Sequence, residues 1–176
     1  MTAHNNAGVA YMHEENLAEA EQSLRRSLEP TRTIARLEPK NRRWEKELAT
    51  TLLNLGALLH KRKDYTQAEP FLREALAVRQ GLASWDPKNT RWLRQLAHAW
   101  HRMAVFQFDV ADSTNALASA QQSLGAQRRL LAIEPGDKQA QQEIREYVDK
   151  YRDRLSAAGL NDAAMLMVRE AGRGAN

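Results

Sequence analysis

Apolar side chains recur along the chain with the spacing of amphipathic α-helices. One such stripe advances in steps of four, four, three and four residues, which keeps its members on one helix face. Its members are Trp44, Leu48, Leu52, Leu55 and Leu59. A second stripe follows a short break at Lys63-Asp64 and ends before Asp86-Pro87, because the residue before a proline disfavours helical geometry. Residues 39–86 are therefore predicted to form two helices joined by a short turn.

The same pattern repeats along the chain with a step of 48 residues and no gap. Proline recurs as Pro39, Pro87 and Pro135, and the small residue of the second helix recurs as Ala20, Ala68, Ala116 and Ala164. A fixed period of this length is the signature of a repeat architecture. We predict a single domain made of the units 1–38, 39–86, 87–134 and 135–176, with helices of roughly 18–22 residues.

Within each unit, the order of large and small residues resembles the tetratricopeptide repeat. In the second unit the matching positions hold Leu52, Leu55, Gly56, Ala68, Leu72 and Ala75. The period exceeds the usual ~34 residues by close to four helical turns, as in the similar long repeats of kinesin light chains and of many bacterial signalling proteins. The resemblance implies an all-α fold, a right-handed α-solenoid of about four antiparallel helical hairpins, of which the first is truncated.

The two ends of the chain differ from the middle. By the repeat, the first helix should begin before residue 1, so we expect residues 8–11 to form an exposed or poorly covered edge. The chain is then a fragment, is covered there by a partner, or has a short first helix. Arg152 stands where Gly8 and Gly56 stand in earlier units, which predicts a polar terminal cap. Pro30 predicts a kink or break in its helix.

Composition narrows the function classes. The absence of cysteine excludes disulfides, thiolate zinc sites and cysteine nucleophiles. No basic and apolar leader opens the sequence and no apolar run is long enough to cross a bilayer, so we expect a cytoplasmic protein without a membrane partner. A net charge of +4 allows only weak attraction to acidic partners.

The resemblance also implies where a partner would bind, because the first helices of successive units line the groove of such solenoids. Asn6, Asn54 and Arg102 share one position at the 48-residue step. An amide side chain both donates and accepts hydrogen bonds, so it is suited to hold the backbone of a bound peptide. The predicted peptide-binding groove comprises Asn5, Asn6, Val9, Met12, His13, Leu53, Asn54, Ala57, His60, Lys61, His98, His101, Arg102, Val105 and Phe108.

Other chemistries receive less support from the residues. His98 and His101 have the spacing of two metal ligands on a helix, but no third ligand is evident, and no catalytic constellation surrounds them. The tryptophans at 44, 85, 92 and 100 fall on packing stripes, whereas nucleic-acid binding needs aromatic rings exposed near cations.

We therefore expect no enzyme activity, no cofactor, no metal and no nucleic-acid partner. The leading hypothesis is a scaffold that binds a peptide or helix of a partner protein in the groove. The alternative is an assembly or dimerisation module of a larger signalling or effector protein, which would use the N-terminal edge to contact a second copy or a preceding domain.

Overall fold

The computed structural model describes residues 2–13 and 15–173, and the side chains of residues 5–12 and 15–169. Eight helices and no strands occur in this part of the chain. They are α1 (Thr2–His13), α2 (Leu17–Leu37), α3 (Arg42–Lys61), α4 (Tyr65–Trp85), α5 (Thr90–Asp109), α6 (Ser113–Ile133), α7 (Lys138–Ala157) and α8 (Asn161–Arg173). Helices α2 to α7 each contain 20 or 21 residues, as predicted.

The helices pack as hairpins in two compact units, residues 1–85 and 86–176. In the first unit α1 packs on α2 and α3 packs on α4, while α3 also contacts α1 and α2. The second unit repeats this arrangement, since α5 packs on α6, α7 packs on α8, and α7 also contacts α5 and α6. Short connections make the helices of each pair antiparallel. The predicted class, an all-α stack of helical hairpins, is confirmed.

The helix starts are set by capping side chains. Asn41, Asn89 and Asp137 accept hydrogen bonds from backbone N–H groups in the first turn of α3, α5 and α7, which would otherwise lack partners. Asp112 caps α6 in the same way. Asparagine also stands at the start of α8, a residue type that favours a turn or a helix cap. Asn161 is, however, the first residue of that helix, and the carbonyl of Leu160 accepts a hydrogen bond from the Ala164 N–H.

The turn inside each hairpin contains one residue with a left-handed backbone conformation, and this residue recurs every 48 residues. Glu15, Lys63, Ala111 and Gly159 have φ angles of 60°, 62°, 60° and 76°. For an L-residue with a side chain this conformation costs roughly 1–2 kcal/mol, whereas glycine adopts it freely.

We expect Lys63→Gly to raise the free energy of unfolding by roughly 0.5 kcal/mol, since the relieved strain exceeds the added freedom of the unfolded chain. Urea titration of the full chain measures the change. The matched variant Gly159→Ala should lower the stability by about 1 kcal/mol. A stabilised Gly159→Ala variant would contradict this account of the turns.

Close approach of the two helices in a hairpin requires a small residue on the first helix. A Cβ atom placed on Gly56 would lie 2.8 Å from Cγ of Leu72, and one on Gly8 would lie 2.7 Å from Cγ of Leu24. In the last hairpin Arg152 takes this position, and its guanidinium binds Asp149 and Asp153 at 2.9 Å. The equivalent position therefore carries charge in α7, as expected of a polar terminal unit.

Three expectations need correction. Helix α2 runs unbroken through Pro30, because only the Arg26 carbonyl loses its N–H partner and both residues lie exposed to water. Gly8 is buried against α2 rather than exposed, whereas Val9 and Tyr11 are half-buried and Ala10 is exposed. Trp85 is not a core residue: its side chain is 61% exposed at the end of α4, beyond the last buried turn.

Candidate functional site

In the first unit, one of the predicted residues on α1, Asn5, contacts α3. Asn5, Val9 and Met12 share one helix face by their spacing. Asn5 is 7% exposed, and its Oδ1 accepts a hydrogen bond of 3.2 Å from Nδ2 of Asn54 on α3. The side-chain amide of Asn54, one of the predicted peptide-binding residues, thus already donates one hydrogen bond within the protein.

The other predicted residues of this unit differ in accessibility. Asn6 and Lys61 are exposed, and Val9, Met12, Ala57 and His60 are half-buried. Leu53 is buried in the core of the unit, and the Lys61 ammonium lies 3.7 Å from a carboxylate oxygen of Glu15. The side chain of His13 lies outside the described residues. The accessible surface in this unit is therefore smaller than predicted.

In the second unit, the predicted residues on α5 meet two tyrosines of α7. The ring of His101 stacks on Tyr147 with centroids 3.8 Å apart and planes within 3°. Nδ1 of His101 lies 2.8 Å from the hydroxyl oxygen of Tyr151, at hydrogen-bond distance. Phe108 packs on the same side, with its ring centroid 6.4 Å from that of Tyr151. The α5–α7 seam is thus closed by an aromatic cluster.

This cluster is uncharged at neutral pH. Burial lowers the pKa of His101 to about 3, with smaller contributions from the nearby charges of His98, Arg102, Lys150 and Arg154. Burial also raises the pKa of Tyr147 to about 12 and raises that of Tyr151. A neutral imidazole hydrogen-bonded to a tyrosine stabilises the joint between helices, so His101 has a structural role beyond lining a surface.

Around the cluster, the second unit keeps an accessible rim. Arg102 is exposed, and His98 and Val105 are half-buried. The two tyrosines were not among the residues predicted for the groove. They lie 46 and 50 residues after His101, that is, two residues before and two residues after the position one 48-residue repeat further on. A spacing close to the repeat length is the sequence signal for contact between neighbouring first helices.

Two further observations bear on the chemistry of this part of the chain. Among residues whose positions are described, no group of three or more histidine or acidic side chains is arranged to hold a metal ion. Within the same residues, none of the helices is both long and apolar enough to cross a membrane.

Comparisons with known proteins agree with the helical hairpins. Two models described as Tetratricopeptide repeat match the chain, one over residues 2–29 and one over residues 48–83. The first match spans α1 and much of α2, and the second spans most of α3 and α4. No curated protein matches the sequence.

A solved structure shares the fold at low sequence identity. It is titled "Crystal structure of BtubC (BKLC) from P. vanneervenii", is 17% identical and superposes with a TM-score of 0.62. The alignment covers 97% of this chain and 61% of that protein, so this chain spans about three fifths of its length. Helical hairpins, matching repeat models and a shared fold agree on one assignment: residues 2–29 and 48–83 of this chain are tetratricopeptide repeats.

Proposed function

We propose that the chain is a protein-interaction scaffold that binds an extended segment or a helix of a partner along its first helices. Tetratricopeptide repeats generally mediate contacts between proteins, and such repeats are typically not enzymes. We propose that this chain likewise has no enzyme activity and binds no cofactor and no metal. Each unit carries its own candidate surface: the accessible residues of α1 and α3 in the first unit, and those of α5 in the second.

The observation that carries this proposal is the mixed character of these first-helix surfaces. Asn6, Lys61 and Arg102 are exposed polar residues beside half-buried Val9, Ala57 and Val105. A partner backbone can bind to the polar groups while its apolar side chains cover the half-buried ones. None of these six side chains is fully buried, so a binding role does not conflict with packing.

Replacing Arg102 by glutamate should reduce partner capture at least fivefold, because the exposed guanidinium would become a like charge for any carboxylate it binds. The full chain is immobilised, and captured proteins are compared by quantitative mass spectrometry with those on the parent. We expect Asn6→Ala to reduce partner capture by the first unit, because Asn6 occupies the equivalent position there.

The matched control is Arg129→Glu, which makes the same change at an exposed position of α6. It should retain the captured proteins. Melting followed by circular dichroism should be the same for all variants, because no buried group is altered. Equal capture by the parent, Arg102→Glu and Asn6→Ala would contradict binding along the first helices.

A further inference from the structure

Large apolar residues lie exposed at one repeated position on the second helices. Leu37, Trp85 and Ile133 are the last residues of α2, α4 and α6, and they stand 48 residues apart. Their side chains are 76%, 61% and 42% exposed. Single exposed apolar residues are ordinary on protein surfaces. Here, however, an exposed apolar residue ends each of the three second helices α2, α4 and α6 at the same position of the repeat.

In the first unit this position adjoins a cleft between α2, α3 and α4. The cleft has a volume of about 610 Å³, which is within the range of binding pockets. Its apolar lining includes Ala35, Leu48 and Val78. Leu37 directly follows Arg36, which lines the cleft, and the guanidinium carbon of Arg42 lies 5.3 Å from the ring centroid of Trp85.

The charged lining of this cleft has a cationic excess. Two of its arginines are neutralised by carboxylates that also line it: Arg32 binds Glu74 at 2.7 Å, and Arg42 binds Glu45 at 2.6 Å. The third, Arg36, is exposed and forms no ion pair with the described residues. An incoming carboxylate could therefore bind Arg36 without displacing an existing pair.

We propose that this cleft, together with Leu37 and Trp85, binds a short acidic polypeptide segment that carries bulky aliphatic side chains. Its carboxylates bind Arg36, and its aliphatic side chains enter the cleft against Ala35, Leu48 and Val78 and cover Leu37 and Trp85. This surface lies on the second-helix side of the first unit. It is separate from the first-helix surface of the proposed function and does not depend on it.

Fluorescence anisotropy with a labelled peptide of glutamates and two leucines tests the proposal on the full chain. Arg36→Glu should weaken binding of this peptide at least tenfold, because attraction becomes repulsion. Gly81→Phe should do the same by filling the cleft, since no atom lies within 4 Å of a Cβ placed there. The matched control Arg26→Glu, at another exposed arginine of α2, should bind as the parent does.

Changes in the peptide test its chemistry. Replacing its leucines by serine should weaken binding about tenfold, and replacing its glutamates by lysine should abolish it. The proposal is wrong if the parent does not bind the glutamate–leucine peptide, or if Arg36→Glu and Gly81→Phe bind it normally. If Asn6→Ala removes binding and Arg36→Glu does not, the peptide binds to the first helices. That result would overturn this inference and leave the proposed function standing.

Discussion

Replacing Gly56 by leucine should lower the free energy of unfolding of the first unit by about 3 kcal/mol. A Cβ atom at this position would lie 2.8 Å from both Cγ and Cδ2 of Leu72 and 3.2 Å from its backbone nitrogen. The side chain of Leu72 can turn, but its backbone is part of α4 and cannot move alone. Helices α3 and α4 must therefore separate. The fully buried Leu52 and Leu55 of α3 then lose packing contacts.

Urea titration of the full chain by circular dichroism measures this loss. The matched control is Gly125→Ala in the interior of α6, where no atom lies within 4 Å of an added Cβ. There the better helix propensity of alanine should raise the stability by about 0.5–1 kcal/mol. If Gly56→Leu unfolds at the urea concentration of the parent, close approach of α3 and α4 does not depend on this glycine.

The second unit should become less stable as the pH falls below about 6.5, by up to about 1.4 kcal/mol per pH unit. The folded state holds the pKa of His101 near 3, chiefly through burial, against an ordinary value of 6.5. Between these values the unfolded chain binds a proton that the folded chain does not, so acid favours unfolding. Above pH 6.5 this group adds no pH dependence. This slope is the limit for a single proton and is reached only well below pH 6.5, where the unfolded chain is fully protonated at this group.

Thermal unfolding between pH 7 and pH 5 separates the titration of histidines from that of carboxylates, which remain mostly ionised in that range. Two variants then distinguish His101 from the other histidines. His101→Phe should flatten the dependence, since it keeps an aromatic ring on Tyr147 and removes the titrating group. His60→Phe, the same exchange in the first unit, should leave the slope of the second unit unchanged. An unaltered slope in His101→Phe would show that another group causes the acid sensitivity.

The binding proposals divide the chain into two surfaces of different chemistry. The first-helix surface combines amides and half-buried aliphatic groups, and the cleft on the second-helix side combines an exposed arginine with apolar walls. Arg102→Glu and Arg36→Glu therefore test different surfaces. Capture experiments with both variants would show whether one partner contacts both surfaces.

Much of the fold could be predicted from the sequence because the determining signals are local. Each turn between hairpins contains a proline and ends in an asparagine or aspartate that caps the next helix. Both residue types act on the backbone close to them in sequence. The apolar stripes then determine which face of a helix is buried. Leu52, Leu55 and Leu59 are at most 1% exposed, as their spacing indicated.

The candidate site was less predictable because its properties depend on contacts between helices distant in sequence. Asn54 looked like a free surface amide, yet its side chain binds Asn5. His101 looked like a surface histidine, yet it stacks on Tyr147. The repeat step indicated which helices are neighbours, but the partner of each side chain depends on rotamer and helix packing.

The sequence alone therefore determined the repeat, the helix lengths and the buried stripes, since periodicity and capping act along the chain. Only the tertiary structure decided that Trp85 is exposed, that α2 continues through Pro30, and that Arg36 lines a cleft between helices. Each of these features depends on where neighbouring helices lie. The neighbours determine which parts of a helix remain open to water and which carboxylate reaches which arginine. Spacing along a single helix carries no information about either.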